Sequence, residues 1–184
     1  LPLVDPMCGS GTFLLEAASI AMNIAPGLRR SFAIEGWADF NQALWKEERN
    51  SAIDRETSDL PPEKIIGCEQ DSTIAKQARQ NVAAAGMEGI IEIRNLNFRE
   101  LLLPKDPGLI LCNPPYGKRL GTEETLEQLY ADLGDFSKNR ASGWELWLLS
   151  GNPSLSMHLK MKCSQRIPIS NGGIDCRWLK YKVN

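Results

Sequence analysis

Short apolar runs alternate with stretches of helical periodicity along most of this chain, the pattern of a parallel sheet covered by helices. Leu1–Asp5 predicts a first strand and Thr12–Ala25 an apolar helix behind it. Lys64–Glu69 predicts a second strand. Asp71–Ala85 follows as a helix, with Asp71 or Ser72 as N-cap and Gly86 past its end. Ile90–Arg94 and Leu109–Cys112 predict the third and fourth strands. Glu123–Lys138 is amphipathic, with Leu126, Leu129, Tyr130, Leu133 and Phe136 on one face. Glu145–Ser150 predicts a fifth strand. The ending differs in kind: Met161–Ile169 and Ile174–Val183 flank Asn171-Gly172-Gly173, which marks an antiparallel hairpin. An α/β fold results, mostly parallel and closed by a hairpin.

Residues 26–62, from Pro26 to Pro62, break this rhythm and read as an insertion between the first helix and the second strand. Phe32, Trp37, Phe40, Leu44 and Trp45 give it an apolar face, which reads as packing or as a wall of a substrate pocket. Lys46–Asp59 is polar and predicted as loop.

Composition narrows the class. A chain of 184 residues, 42% hydrophobic and 24% charged, suits one globular domain spanning residues 1–184. No apolar run approaches the roughly 20 residues that cross a bilayer, and no cleavable leader stands at the start, so a cytoplasmic location is expected. The chain opens inside an apolar strand without an initiator Met and reads as a domain cut from a longer protein. Cys8, Cys68, Cys112, Cys163 and Cys176 form no CxxC pair, and His158 is the single histidine. That spacing suits neither a zinc site nor a disulfide framework, so five free thiols and no metal are expected. The formal charge of −2 counts against a domain that grips nucleic acid alone.

Chemistry concentrates in strand ends. Asp5-Pro6-Met7-Cys8-Gly9-Ser10-Gly11-Thr12 joins the first strand to the first helix, where doubly wound sheets bind ligands. Gly9 and Gly11 admit a ligand close to the backbone, and the helix start offers amides and a positive dipole to a carboxylate. A dinucleotide fingerprint would want a third glycine where Leu14 stands, and a P-loop would want Lys where Phe13 stands. An acid at the strand end repels polyphosphate. It suits an ammonium-bearing ligand such as S-adenosylmethionine. Glu69, ending the second strand, is placed to accept two ribose hydroxyls. Asn97 and Phe98 follow the third strand, as an adenine amino contact with a covering ring or as an ordinary Asn turn.

The fourth strand ends abruptly in Asn113-Pro114-Pro115-Tyr116-Gly117. Two prolines remove two N–H donors and stiffen the backbone. The Asn113 amide oxygen and the Pro114 carbonyl can then accept both hydrogens of an exocyclic amino group, with Tyr116 stacked on its ring. An aromatic amine is a poor nucleophile because its lone pair is delocalised. Holding both hydrogens localises that pair and aims it at a sulfonium methyl, so catalysis is positioning and electrostatics. A paired base cannot enter, so the target is unpaired or flipped out. Lys118, Arg119, Arg29 and Arg30 are candidate phosphate contacts.

These two motifs resemble motifs I and IV of class I amino-methyltransferases. Ala25-Pro26-Gly27-Leu28-Arg29-Arg30-Ser31-Phe32, continuing to Trp37, is similar to the insertion of THUMP-associated RNA guanine-N2 methyltransferases. Asn171-Gly172-Gly173-Ile174-Asp175-Cys176-Arg177 with Tyr181 resembles their closing hairpin. The resemblance implies a Rossmann-like, seven-stranded sheet with helices on both faces, S-adenosylmethionine as methyl donor, and N2-methylguanosine in ribosomal or transfer RNA as product. It implies an RNA-capturing THUMP module N-terminal to this domain in the full-length protein. It also carries cofactor roles to Asp5, Gly9, Gly11 and Glu69, and catalytic roles to Asn113, Pro114, Pro115 and Tyr116. The neighbours Pro6, Cys8, Ser10 and Thr12 join the cofactor set, as do Asn97, Phe98 and Asn113. Asn97 stands where the family more often has Asp, and Glu69 likewise. An N6-adenine nucleic-acid methyltransferase, a protein glutamine methyltransferase and an inactive S-adenosylmethionine-binding module are the competing readings.

Overall fold

All seven predicted strands form, and they pair into one sheet in the order β3-β2-β1-β4-β5-β7-β6. The computed structural model describes residues 1–57, 59, 63–116 and 123–184, with Glu123 described by its backbone alone. The chain runs through β1 (Leu3–Asp5), α1 (Thr12–Ala21), α2 (Gln42–Asp54), β2 (Ile65–Cys68), α3 (Ser72–Ala84) and β3 (Ile91–Arg94). It continues through β4 (Leu109–Cys112), α4 (Glu123–Arg140), β5 (Glu145–Ser150), α5 (Pro153–Met157), β6 (Cys163–Asn171) and β7 (Ile174–Lys182). Strands β1 to β5 pair in parallel, and β7 runs antiparallel to both β5 and β6. The turn between β6 and β7 is Gly172-Gly173, both at positive φ, as a tight two-residue hairpin demands.

Each face of the parallel region has its own core, as a parallel sheet requires. Leu14 and Ala18 of α1, fully buried, pack with Val82 of α3 and Ile65 and Ile91 of the strands. On the other face the amphipathic stripe of α4 (Leu126, Tyr130, Leu133 and Phe136) meets Ile110, Leu146 and Leu148, with Leu129 at its edge. A fully buried leucine of this kind contributes about 1.5–3 kcal/mol relative to exposure. Because β1 lies between β2 and β4, the crossovers on its two sides run in opposite directions. That switch point places the cleft over the carboxyl ends of β1 and β4.

Three expectations are corrected. Helix α1 stops at Ala21 rather than Ala25, because Asn23 turns into the left-handed region at φ 54°. Lys46–Asp59 is largely helix rather than loop: Asn41 caps α2 by accepting from the Leu44 amide, and good helix formers follow without Gly or Pro. Within the insertion, Trp45 sits edge-on to Phe32 and Phe40, while Trp37 is 62% exposed and outside the cluster. The five cysteines are free thiols, and all but Cys163 are buried. Among the described residues, no helix is long and apolar enough to cross a membrane.

Candidate active site

Strand β1 carries Asp5 to the floor of the cleft, where the side chain is only 2% exposed. Its Oδ1 accepts from the Met7 amide at 3.0 Å, which fixes the turn that the fully buried Pro6 begins. Burial pushes the Asp5 carboxyl up to about 7, against the Met7 bond that lowers it and with the nearby Glu69 charge adding to the rise. Such a group is half ionised near neutral pH, and a cation placed beside it favours the charged form.

Gly9 and Gly11 hold φ of 54° and 87°, a region that side chains resist. No atom lies within 4 Å of the place a Gly9 Cβ would occupy, so the backbone there borders open space. The loop is tied down from behind. The Cys8 amide donates to the Cys68 carbonyl at 2.9 Å, and the Gly9 amide donates to Glu69 Oε2 at 3.2 Å. Glu69 Oε1 accepts from the Asp71 amide at 2.9 Å, while Asp71 itself caps α3. Asn81 of α3 donates to the Ser10 carbonyl at 2.9 Å. The hydroxyls of Ser10 and Thr12 lie 3.4 Å apart at the exposed rim. No side chain caps α1 and its first turn holds no acid, so its free amides face the loop's ligand space with their positive dipole end.

The third wall differs from expectation. Asn97 caps a short 3-10 turn through Oδ1 and donates its Nδ2 to Gln70 Oε1 at 3.0 Å, so it sits beside the Glu69 strand end. Phe98 is 4% exposed and edge-on to Phe136 in the core, with the Arg99 guanidinium over its ring. The 3-10 turn rotates this ring inward, and its faces are taken up by packing. Phe98 therefore covers no ligand with its ring.

Across the cleft, β4 pairs directly with β1, with Leu3 opposite Leu109 and Val4 opposite Ile110. Asn113 emerges one residue past β4 and is exposed, whereas Pro114 is fully buried and anchors the turn. The Cys112 thiol just below is pushed far up by burial first, and by the Asp5 charge next. Tyr116 is half-buried and clamped. Its ring lies so close to Gly151 that a Cβ there would stand 2.7 Å from Cε2. Its hydroxyl accepts from Asn171 Nδ2 at 3.2 Å and lies 3.8 Å from the Cys176 thiol, both on the closing hairpin. Burial foremost raises the Tyr116 phenol above its usual range.

The fold thus brings together Asp5, the glycine loop, Glu69, Asn97 and Asn113–Tyr116. Gly117, Lys118 and Arg119 lie outside the described residues. Arg29 and Arg30 turn to structural work: Arg29 donates to the Ala85 carbonyl at the end of α3, and Arg30 stacks over Phe32. Sequence reasoning passed over Asn81, whose signal is an Asn in mid-helix, and the clamping role of Asn171 and Cys176.

Residues 1–180 match the UPF0020 family, described as the RMKL-like methyltransferase domain. The chain belongs to this family. It is 40% identical over 186 residues to a provisionally named RNA methyltransferase of Synechocystis, spanning 48% of that protein. It is 38% identical to the ribosomal RNA large subunit methyltransferase K/L of Shewanella woodyi, covering 99% of this chain and 26% of that one. The chain thus spans half or less of the length of these relatives. Among solved structures, the provisionally named methyltransferase SMU.472, complexed with S-adenosylhomocysteine (SAH), superposes with a TM-score of 0.91 at 30% identity. That match covers all of this methyltransferase domain and 48% of the solved chain. A protein of Listeria monocytogenes named as a predicted N6-adenine-specific DNA methylase matches at 0.87 and 32%, again over the whole domain and 47% of that chain.

Proposed function

We propose that this domain transfers a methyl group from S-adenosylmethionine to the exocyclic N2 of a guanine in RNA, ribosomal RNA before transfer RNA. One observation carries the reading: Asn113 stands exposed at the end of β4, one strand from Asp5 and the glycine loop, beside a buried proline and a clamped tyrosine.

The residues fit the donor. The open space over Gly9 admits a ligand against the backbone, and the buried Asp5 carboxyl is matched to a cation. The uncapped start of α1 suits the donor's carboxylate, and Glu69 suits its ribose hydroxyls. The RNA methyltransferase names of the relatives and the SAH complex of SMU.472 support the same assignment. When bound, S-adenosylmethionine supplies an electrophilic methyl group.

The chain's own residues do the rest. Asn113 Oδ1 and the Pro114 carbonyl accept the two amino hydrogens and turn the nitrogen lone pair toward the cleft. The exposed part of the Tyr116 ring supports the base, and Gly151 and Asn171 keep that ring still. With the donor bound, that lone pair would be aligned with the sulfonium methyl, so that transfer would leave a neutral thioether and the surplus N–H proton would pass to solvent water. No side-chain nucleophile takes part. A THUMP module elsewhere in the full-length protein completes this proposal by capturing the RNA.

Nucleoside mass spectrometry after incubation with RNA and isotopically labelled donor tests the assignment. Labelled N2-methylguanosine is expected. Label in N6-methyladenosine, or in protein alone, overturns it in favour of the corresponding amino acceptor.

A further inference from the structure

The acidic balance of the chain hides a strong local asymmetry. Lys160, Lys162, Arg166, Arg177, Lys180 and Lys182 stand in residues 160–184 against the single acid Asp175, in a chain of 21 basic and 23 acidic residues. This basic stretch is the closing hairpin with the segment leading into it. Arg166 lies opposite Leu179 and Arg177 opposite Pro168, so the two guanidiniums share one face as diagonal neighbours. That face forms one wall of a groove of about 1170 Å³, with Met157 and Met161 on the α5 side. The groove exceeds the roughly 300–1,000 Å³ of small-molecule pockets. Its upper end is lined by Gly151 and Cys176, both of which touch Tyr116.

We propose that this groove is a track for the backbone of single-stranded RNA, with Arg166 and Arg177 on successive phosphates and the methionines beneath the sugars and bases. The inference rests on the RNA reading above and adds where the strand runs. Three features select a polyanion. Arg166 and Arg177 are exposed, and among the described residues neither side chain has a carboxylate partner within salt-bridge distance. Asp175 is the only acid lining the groove among the described residues. Through Gly151 and Cys176 the groove leads to the Tyr116 ring that supports the base in the reading above, and a strand entering here delivers that base without a duplex. The clamp on Tyr116 then has a second use, since the element that carries the phosphate contacts also sets the ring.

The test is fluorescence anisotropy with a labelled, mixed-sequence 12-nucleotide single-stranded RNA, measured across a salt series. Arg166→Ala with Arg177→Ala is expected to weaken binding about tenfold and flatten the salt slope by about 1.4, the value for two lost phosphate contacts on a single strand. Lys46→Ala with Lys76→Ala, the same charge change on distant surfaces, is expected to shift binding less than about twofold. Arg166→Lys with Arg177→Lys should restore the slope, and circular dichroism should show both groove variants folded. An unchanged affinity and slope, or no measurable binding by the unsubstituted chain, overturns the groove assignment. The outcomes separate from those above. Loss of RNA affinity in the variant without labelled N2-methylguanosine from the parent keeps the groove and sinks the guanine assignment. Labelled guanine with arginine-independent RNA binding does the reverse.

Discussion

The two sides of the cleft are built differently. The glycine-loop side is acidic and closed on itself: Asp5 binds the Met7 amide, Glu69 binds the Gly9 and Asp71 amides, and Asn81 holds Ser10. The Asn113 side is held by the basic closing hairpin, where Asn171 donates to the Tyr116 hydroxyl and the Cys176 thiol lies beside it. A cationic small molecule and a polyanionic strand need opposite fields within one cleft, and the fold supplies them from opposite ends of the chain. Donor binding and acceptor positioning should therefore respond to different substitutions.

The largest separation is expected from Gly9→Val. The residue holds φ at 54°, and a branched side chain would be strained there while filling the open ligand space. Affinity for S-adenosylmethionine should fall about a hundredfold or more, with binding of single-stranded RNA unchanged. Parallel calorimetry and anisotropy check this, and equal losses in both would break the division.

Acidity gives the next effect. The free protein holds a proton on Asp5 up to about pH 7, whereas the unfolded carboxyl loses it near 3.8. Two signs follow. Raising the pH through this window costs the ligand-free fold stability, because only the folded form must strip a buried acid. A cationic ligand needs the ionised form, so donor affinity is full above about pH 7 and falls about tenfold per unit below it. Calorimetry at about pH 6 and about pH 8 should show this, and Asp5→Asn should remove the slope. A flat profile in the parent chain contradicts the account.

A smaller effect probes the other wall. Asn171→Ala removes the donor to the Tyr116 hydroxyl. Steady-state methyl transfer should show kcat/KM for RNA about fivefold lower, at unchanged donor affinity. A matching loss of donor affinity would mean that the hairpin supports the whole cleft.

The same division explains what was legible in the sequence. The strands could be read because each apolar run is short and bounded, and the octet from Asp5 to Thr12 because its turn chemistry is local. Asn113–Tyr116 was equally local as a motif, but its clamp was invisible, since no spacing rule links Tyr116 to Asn171. Helix α2 escaped because it buries no residue and so shows no strong stripe, leaving only its cap and propensities. Phe98 was misplaced because a strand-end aromatic looks the same whether the following turn aims it at a ligand or at Phe136. Arg29 was read as a phosphate contact because a helix end needing a partner, here at Ala85, leaves no mark on the arginine.

The central claim is that Asn113 grips the acceptor amine and takes no part in holding the donor. Single-turnover methyl transfer and donor calorimetry on Asn113→Ala, run side by side, test it directly. Transfer should fall about 100- to 1,000-fold while donor affinity stays within about twofold of the parent. Transfer that persists, or a donor affinity that collapses along with the rate, would contradict it.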